Sequence, residues 1–203
     1  GVNVTTGAPE WYAKDGKKTS DYNLAERRFQ GIAIPKYSGG LSTHLQYKGV
    51  FLDATVYFTG GHKVYERFAQ FYLRTNNFTT VNYNGDAELL NAWQKAGDVT
   101  DVPKITYSGA DNFHDVSSRH LYDGTFARLK DITLGYEVPS KYLEGTGFDG
   151  VTFTLRGTNL YTWVKDSGLK LDPEVGNKGN TMGYTTLTAP PVKSVVFGVN
   201  LKF

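Results

Sequence analysis

The stretch Val195-Val-Phe-Gly-Val-Asn-Leu-Lys-Phe203 decides the fold class. Val195, Phe197, Val199, Leu201 and Phe203 are apolar, and Val196, Gly198, Asn200 and Lys202 alternate with them. A period of two marks a strand whose successive side chains point to opposite faces. One face here is oily throughout and the other is mostly polar. A soluble sandwich would turn the oily face toward its own core. A transmembrane barrel would turn it toward lipid and line its lumen with the polar face.

The same pattern recurs upstream. Leu41, Thr43, Leu45 and Tyr47 alternate with Ser42, His44 and Gln46. After Lys48-Gly49, the apolar set Leu52, Ala54, Val56 and Phe58 alternates with Asp53, Thr55, Tyr57 and Thr59, which predicts a hairpin with a very short turn. Ile132, Leu134 and Tyr136 form a fourth oily row, and Val151, Phe153 and Leu155 a fifth. The phase slips near Thr158-Asn159, before Leu160-Tyr161-Thr162-Trp163, as a bulge would make it do. Five antiparallel strands are therefore expected, joined alternately by short and long connections. That alternation is a habit of outer-membrane barrels, with tight turns on the periplasmic side and long loops outside. With the last strand descending, Lys48-Gly49 and residues 138–150 are periplasmic, and 1–38, 60–120 and 164–192 are external. Tyr47, Tyr136 and Phe203 then fall near the inner interface, Phe58 and Trp163 near the outer one, and Val199 near the midplane.

Composition agrees with strands and turns. Tyr (14), Phe (12) and Gly (23) are abundant, while Met occurs once. The absence of Cys excludes disulfides, a thiolate zinc site and a Cys nucleophile. A net charge of +2 with scattered Lys and Arg gives no basic face for nucleic acid. No apolar run is long enough for a membrane-spanning helix. The first residues, Gly1-Val2-Asn3-Val4, carry no initiator Met and no signal peptide, so the expected setting is the interior of a longer precursor.

Several motifs together resemble one family. These are Phe126-Ala-Arg-Leu-Lys-Asp-Ile-Thr-Leu-Gly-Tyr-Glu-Val-Pro139, Leu155-Arg-Gly-Thr-Asn-Leu-Tyr-Thr-Trp163, Leu171-Asp-Pro-Glu-Val175 and Ser194 to Phe203. Upstream, Ile34-Pro-Lys-Tyr-Ser-Gly-Gly40, Gly61-His-Lys-Val-Tyr65 and Leu90-Asn-Ala-Trp93 with Asp101-Val-Pro103 follow in the same order. From about residue 31 to 203 the chain resembles the C-terminal portion of SusC/RagA-type TonB-dependent outer-membrane transporters. The resemblance implies that residues 1–203 supply about five strands of a barrel of roughly 22, with the plug and the N-terminal strands lying outside this sequence. It further implies membrane lipid and the rest of the barrel as neighbours, and a SusD-like surface lipoprotein as lid. The TonB complex would be engaged through the absent N-terminal region, and the cargo would be an oligosaccharide or oligopeptide. The chain would reside in the outer membrane of a Gram-negative bacterium. A soluble all-β carbohydrate-binding module is the alternative from another class.

Site chemistry is sparse. Many family members carry an aspartate-rich stretch where this chain reads Ala13-Lys-Asp-Gly-Lys-Lys-Thr19, and Asp15 among lysines cannot supply a calcium shell. Gly145-Thr-Gly-Phe-Asp-Gly150 spells a dinucleotide fingerprint but precedes a strand instead of following one, which makes it a turn. His114 and His120 lack a partner set for a metal, and Asp172 and Glu174 on a loop are not a catalytic pair. No catalytic residue, cofactor or metal is expected. Val195, Phe197, Val199, Leu201 and Phe203 are the expected assembly strand. Phe68, Phe71, Tyr72, Phe78 and Tyr83 are candidates for contact with lid or cargo. Asp86 is placed to cap a short helix running past Trp93 toward Gly97.

Overall fold

The structure, a computed structural model, describes residues 1–70, 84–106, 111–174, 182–185 and 189–203. Nine strands are present among them: β1 (Trp11–Tyr12), β2 (Lys18–Thr19), β3 (Tyr37–Tyr47), β4 (Val50–Gly60), β5 (Lys63–Tyr65), β6 (Leu121–Asp123), β7 (Phe126–Glu137), β8 (Gly150–Val164) and β9 (Ser194–Lys202). Two compact units emerge, each assembled from separate stretches of chain. One takes Gly1–Gly31, Tyr65–Leu121 and Tyr184–Leu187, and the other takes Ile32–Val64, Tyr122–Gly183 and Thr188–Phe203.

The second unit is built on a five-stranded antiparallel sheet in the order β3-β4-β7-β8-β9. Every sequence-predicted strand is there; four are somewhat longer than their apolar alternation, and β9, at Ser194–Lys202, is shifted by one residue and leaves Phe203 just past its end. Lys48 and Gly49, at φ 47° and 85°, make the two-residue turn between β3 and β4. Such a turn needs positive φ at both positions and matches the twist of its strands.

Register turns five separate alternations into one surface. Leu45, Leu52, Leu134, Leu155 and Phe197 stand directly opposite one another from strand to strand. Tyr47, Val50, Tyr136, Phe153 and Val199 form the row on one side of them. Thr43, Ala54, Ile132, Gly157 and Val195 form the row on the other, where Leu160 folds back against Gly157. Val199 thus lies in the tyrosine row at one rim of the sheet, and Ile132 takes the central place expected of it. A register shift does fall near Asn159, where Asp131 pairs with Thr158 but Leu129 with Tyr161 and Asn159 has φ 53°, yet the apolar phase of β8 runs through it unchanged and the phase reverses on β7 instead. Lys130 is the bulged residue on β7. Beyond the bulge the apolar face resumes as Leu41, Val56, Leu129 and Tyr161, then Phe58, Ala127 and Trp163.

This face is not a core. Leu134 is 50% exposed and Phe197 66%, in the middle of the sheet and on its edge strand respectively. A soluble module that left such a continuous apolar face open to water would aggregate through it.

The opposite face is polar and cross-linked. Ser42 and Thr55 share a hydroxyl hydrogen bond of 3.0 Å, and His44 Nδ1 lies 2.6 Å from Asp53 Oδ1. Asp131 accepts from Arg156 Nε at 3.0 Å and Nη2 at 2.6 Å, and from the Thr158 hydroxyl at 3.2 Å. The Phe51 ring belongs to this face and covers Gly135, where an added Cβ would come within 2.0 Å of the ring. Gly135→Ala is therefore expected to destabilise the sheet by about 1–3 kcal/mol. The temperature at which the folded receptor loses its fast gel mobility should fall, and Phe51→Ala in the same protein should restore it. An unchanged transition temperature would show that the ring moves aside freely.

The other unit carries the β1–β2 hairpin and the 3-10 turn Ala87–Asn91. Asp86 caps that turn as expected, accepting from the Glu88 amide at 3.0 Å. The helix stops sooner than its apolar spacing suggests, because Ala92 is extended and the Trp93 amide donates to the Val102 carbonyl at 2.9 Å. Residues 145–150 form the glycine turn leading into β8.

Candidate functional site

Three features could carry function: the two-faced sheet, a charged clamp on its polar face, and a cleft in the other unit. The clamp gathers on β7. Arg128 is 1% exposed and hydrogen-bonds the Asp172 carboxylate, with Nη1 3.2 Å from Glu174 Oε2. Lys130 Nζ donates to both Glu174 oxygens at 2.9 and 3.0 Å. The bulge places Lys130 beside Arg128, so that two cations meet two carboxylates. The guanidinium also lies over the Phe126 ring and the ammonium over Tyr57, at 5.5 and 5.7 Å. Asp172 and Glu174 are thereby neutralised and held, which is the opposite of a free acid–base pair. A second junction lies outside the five-stranded sheet, at the end of β6. Burial raises the pKa of Asp123, but bonds from the Thr125 hydroxyl, Lys165 and the Thr125 amide outweigh it and bring the carboxyl to about 2.

The cleft belongs wholly to the unit of Gly1–Gly31 and Tyr65–Leu121 and encloses about 870 Å³. Trp11 and Tyr22 meet edge to face at 5.3 Å, and the Tyr22 hydroxyl donates to the Val116 carbonyl at 2.8 Å. Phe113 is buried under Arg119, whose guanidinium binds Glu88 and the Asp101 carbonyl. Burial pushes the Tyr65 phenol up to about 12, so it remains a donor, to Gln70 Oε1 at 2.9 Å. Among the described residues no group of three or more His, Asp or Glu is placed to hold a metal ion.

Of the sequence candidates, Val195, Phe197, Val199 and Leu201 share the apolar face of β9, and Phe203 follows it. Phe68 donates its amide to the Thr185 carbonyl and does not line the cleft. Phe71, Tyr72, Phe78 and Tyr83 lie outside the described residues. The aromatics that do line the cleft, Trp11, Tyr12, Tyr22, Tyr65 and Phe113, were not singled out from sequence. They come from three distant stretches with no shared spacing, so no local pattern announces them.

A sheet with one continuous exposed apolar face and one ion-paired polar face defines a segment of barrel wall. No protein-family model matches the chain. Curated relatives are TonB-dependent receptors P3, P39 and P26 of Formosa agariphila. They are 27%, 25% and 30% identical to it over 90%, 92% and 85% of this chain. The RagAB peptide importer in its open-open state superposes on the whole chain with a TM-score of 0.78 and 30% identity. Its closed-closed state gives 0.75 and 28%. The chain spans only 17–18% of the curated receptors and 21–22% of the solved chains. Over that portion, the chain is a homologue of SusC/RagA-type TonB-dependent receptors.

Proposed function

We propose that the chain forms the C-terminal wall of an outer-membrane importer that takes up oligopeptides or oligosaccharides under TonB control, with a SusD-like lipoprotein as its lid. The observation that carries this reading is the set of aligned apolar rows, exposed across all five strands while the other face is ion-paired. In this reading the rows face lipid and Asp131, Arg156, His44 and Asp53 face the lumen. Lys48-Gly49 and the 138–149 connection are periplasmic, and the long connections are external. Val195 to Phe203 serves as the strand read during barrel assembly. The free edges of β3 and β9 pair with strands of the same receptor, since unpaired backbone groups in lipid cost several kcal/mol each. The relatives' names, receptors and an importer, support transport and lend nothing to catalysis.

The test is uptake by cells carrying the full-length receptor. Loss of TonB should abolish accumulation of labelled oligopeptide or oligosaccharide while the receptor stays inserted, and the lipoprotein should co-purify. Accumulation that continues undiminished without TonB would overturn the reading.

A further inference from the structure

The connection that follows β8 does not rise clear of the sheet. Asp172 lies well past Val164 in the chain, yet it bonds Arg128, whose partner on β8 is Thr162, inside the strand. The chain has therefore doubled back. Arg128 stands between Ala127 and Leu129, which belong to the apolar rows, so its side chain is on the polar face. Residues 165–174 accordingly lie over that face and not beyond its end.

Both ends of this segment are fixed. At its start the Lys165 amide donates to the Thr125 carbonyl at 3.0 Å, Lys165 Nζ to Asp123 at 2.9 Å, and the Asp123 amide to Asp166 at 3.0 Å. At its far end stand the Arg128 and Lys130 pairs, with the Glu174 amide donating to Asp172 Oδ1 at 2.9 Å. Freeing the segment would leave the buried Arg128 guanidinium without its partners, so the segment is built to stay. Burial divides the polar face accordingly. Thr59, Phe126 and Arg128 are at most 2% exposed, and Leu169 on the segment is 4% exposed. Toward Lys48-Gly49 the face is open, with the His44 and Arg156 side chains each 58% exposed.

We propose that residues 165–174 form a fixed constriction of the barrel lumen, clamped to the wall by Arg128 and Lys130, that limits the width of solute able to enter. This rests on the importer reading above, in which the polar face lines the lumen and this end is the outer one. A layer packed on a sheet face stands about 10 Å from it, and the passage narrows by about that much. The experiment introduces Thr133→Cys, on the open part of the polar face, into the full-length receptor in intact cells. Two thiol reagents are added from outside, a small charged methanethiosulfonate and a polyethylene-glycol maleimide, and each variant is first shown to be heat-modifiable. The small reagent should label Thr133→Cys with or without Arg128→Ala. The polymer should react slowly at first and roughly 30- to 150-fold faster once Arg128→Ala is added, because labelling follows the open population. Asp172→Asn combined with Glu174→Gln, which keeps side-chain size, should admit the polymer too. Equal polymer labelling in all three backgrounds would overturn the constriction, and the importer would stand if uptake still required TonB. Failure of the small reagent to label any of them would overturn the lumenal placement of the polar face and the constriction with it.

Discussion

A receptor carrying Ile132→Arg should reach the outer membrane at a small fraction of the wild-type level. Ile132 lies in the central apolar row, between Ala54 on β4 and Gly157 on β8. A charge on the lipid face at the midplane costs about 2–4 kcal/mol, and the small neighbours leave no polar group to meet it. Thr133→Arg, one residue along, points to the other face between Asp53 on β4 and Arg156 on β8, an attractive and a repulsive neighbour that largely offset in a wet lumen, and should be tolerated. Val199→Arg should fall between them, because the tyrosine row sits at a rim where the cost drops to ~0–1 kcal/mol. The measurement is the amount of heat-modifiable receptor in outer-membrane fractions. Equal levels of the Ile132 and Thr133 variants would mean that the apolar rows do not face lipid.

Arg128→Ala should free the segment that carries Asp172 and Glu174. Removing one partner of a buried ion pair costs ~3–5 kcal/mol. Here the carboxylate side chains keep 15% and 31% exposure, so about 2–3 kcal/mol is expected after solvent screening. When opening is fast relative to cleavage, protease sensitivity follows the open population. Trypsin should then cut at Lys165 or Lys170 roughly 30- to 150-fold faster in the inserted variant. Arg156→Ala breaks a pair in which the arginine is 58% exposed and should change cleavage little. If the Arg128 and Arg156 variants were cut alike, the buried clamp would be no stronger than the exposed pair.

The strands were legible because side-chain alternation needs only local sequence. The bulge was only partly legible: Thr158-Asn159 marked its place, but the apolar set of β8 keeps one parity from Val151 to Trp163, and the reversal falls on β7 between Ile132 and Leu129. Register became legible through Lys48-Gly49, a turn too short to allow slippage between β3 and β4. The clamp was not legible: Arg128 and Asp172 are brought together by a bulge and a returning connection, and neither residue type is unusual where it stands. Phe51, an apolar residue on the polar phase of β4, finds its reason in Gly135 across from it, a pairing that no local pattern shows. The capping of Ala87–Asn91 was visible in Asp86, but its end was set by the distant Val102 carbonyl. The cleft was wholly hidden, because its wall is a meeting of segments and not a motif.

The spacing between the tyrosine row and the Phe58–Trp163 row has a consequence for the bilayer itself. From Val50 to Phe58 the strand advances about 26 Å at ~3.3 Å per residue. Tilted by ~40°, as barrel strands are, that stretch stands only about 20 Å tall. A lipid layer of ordinary ~30 Å hydrocarbon thickness would have to thin where it meets this wall, at a cost that grows with every ångström of mismatch. In the importer reading, the two aromatic rows act as a gauge that favours thin bilayers, so short-chain lipids should take up the folded receptor more readily than long-chain ones.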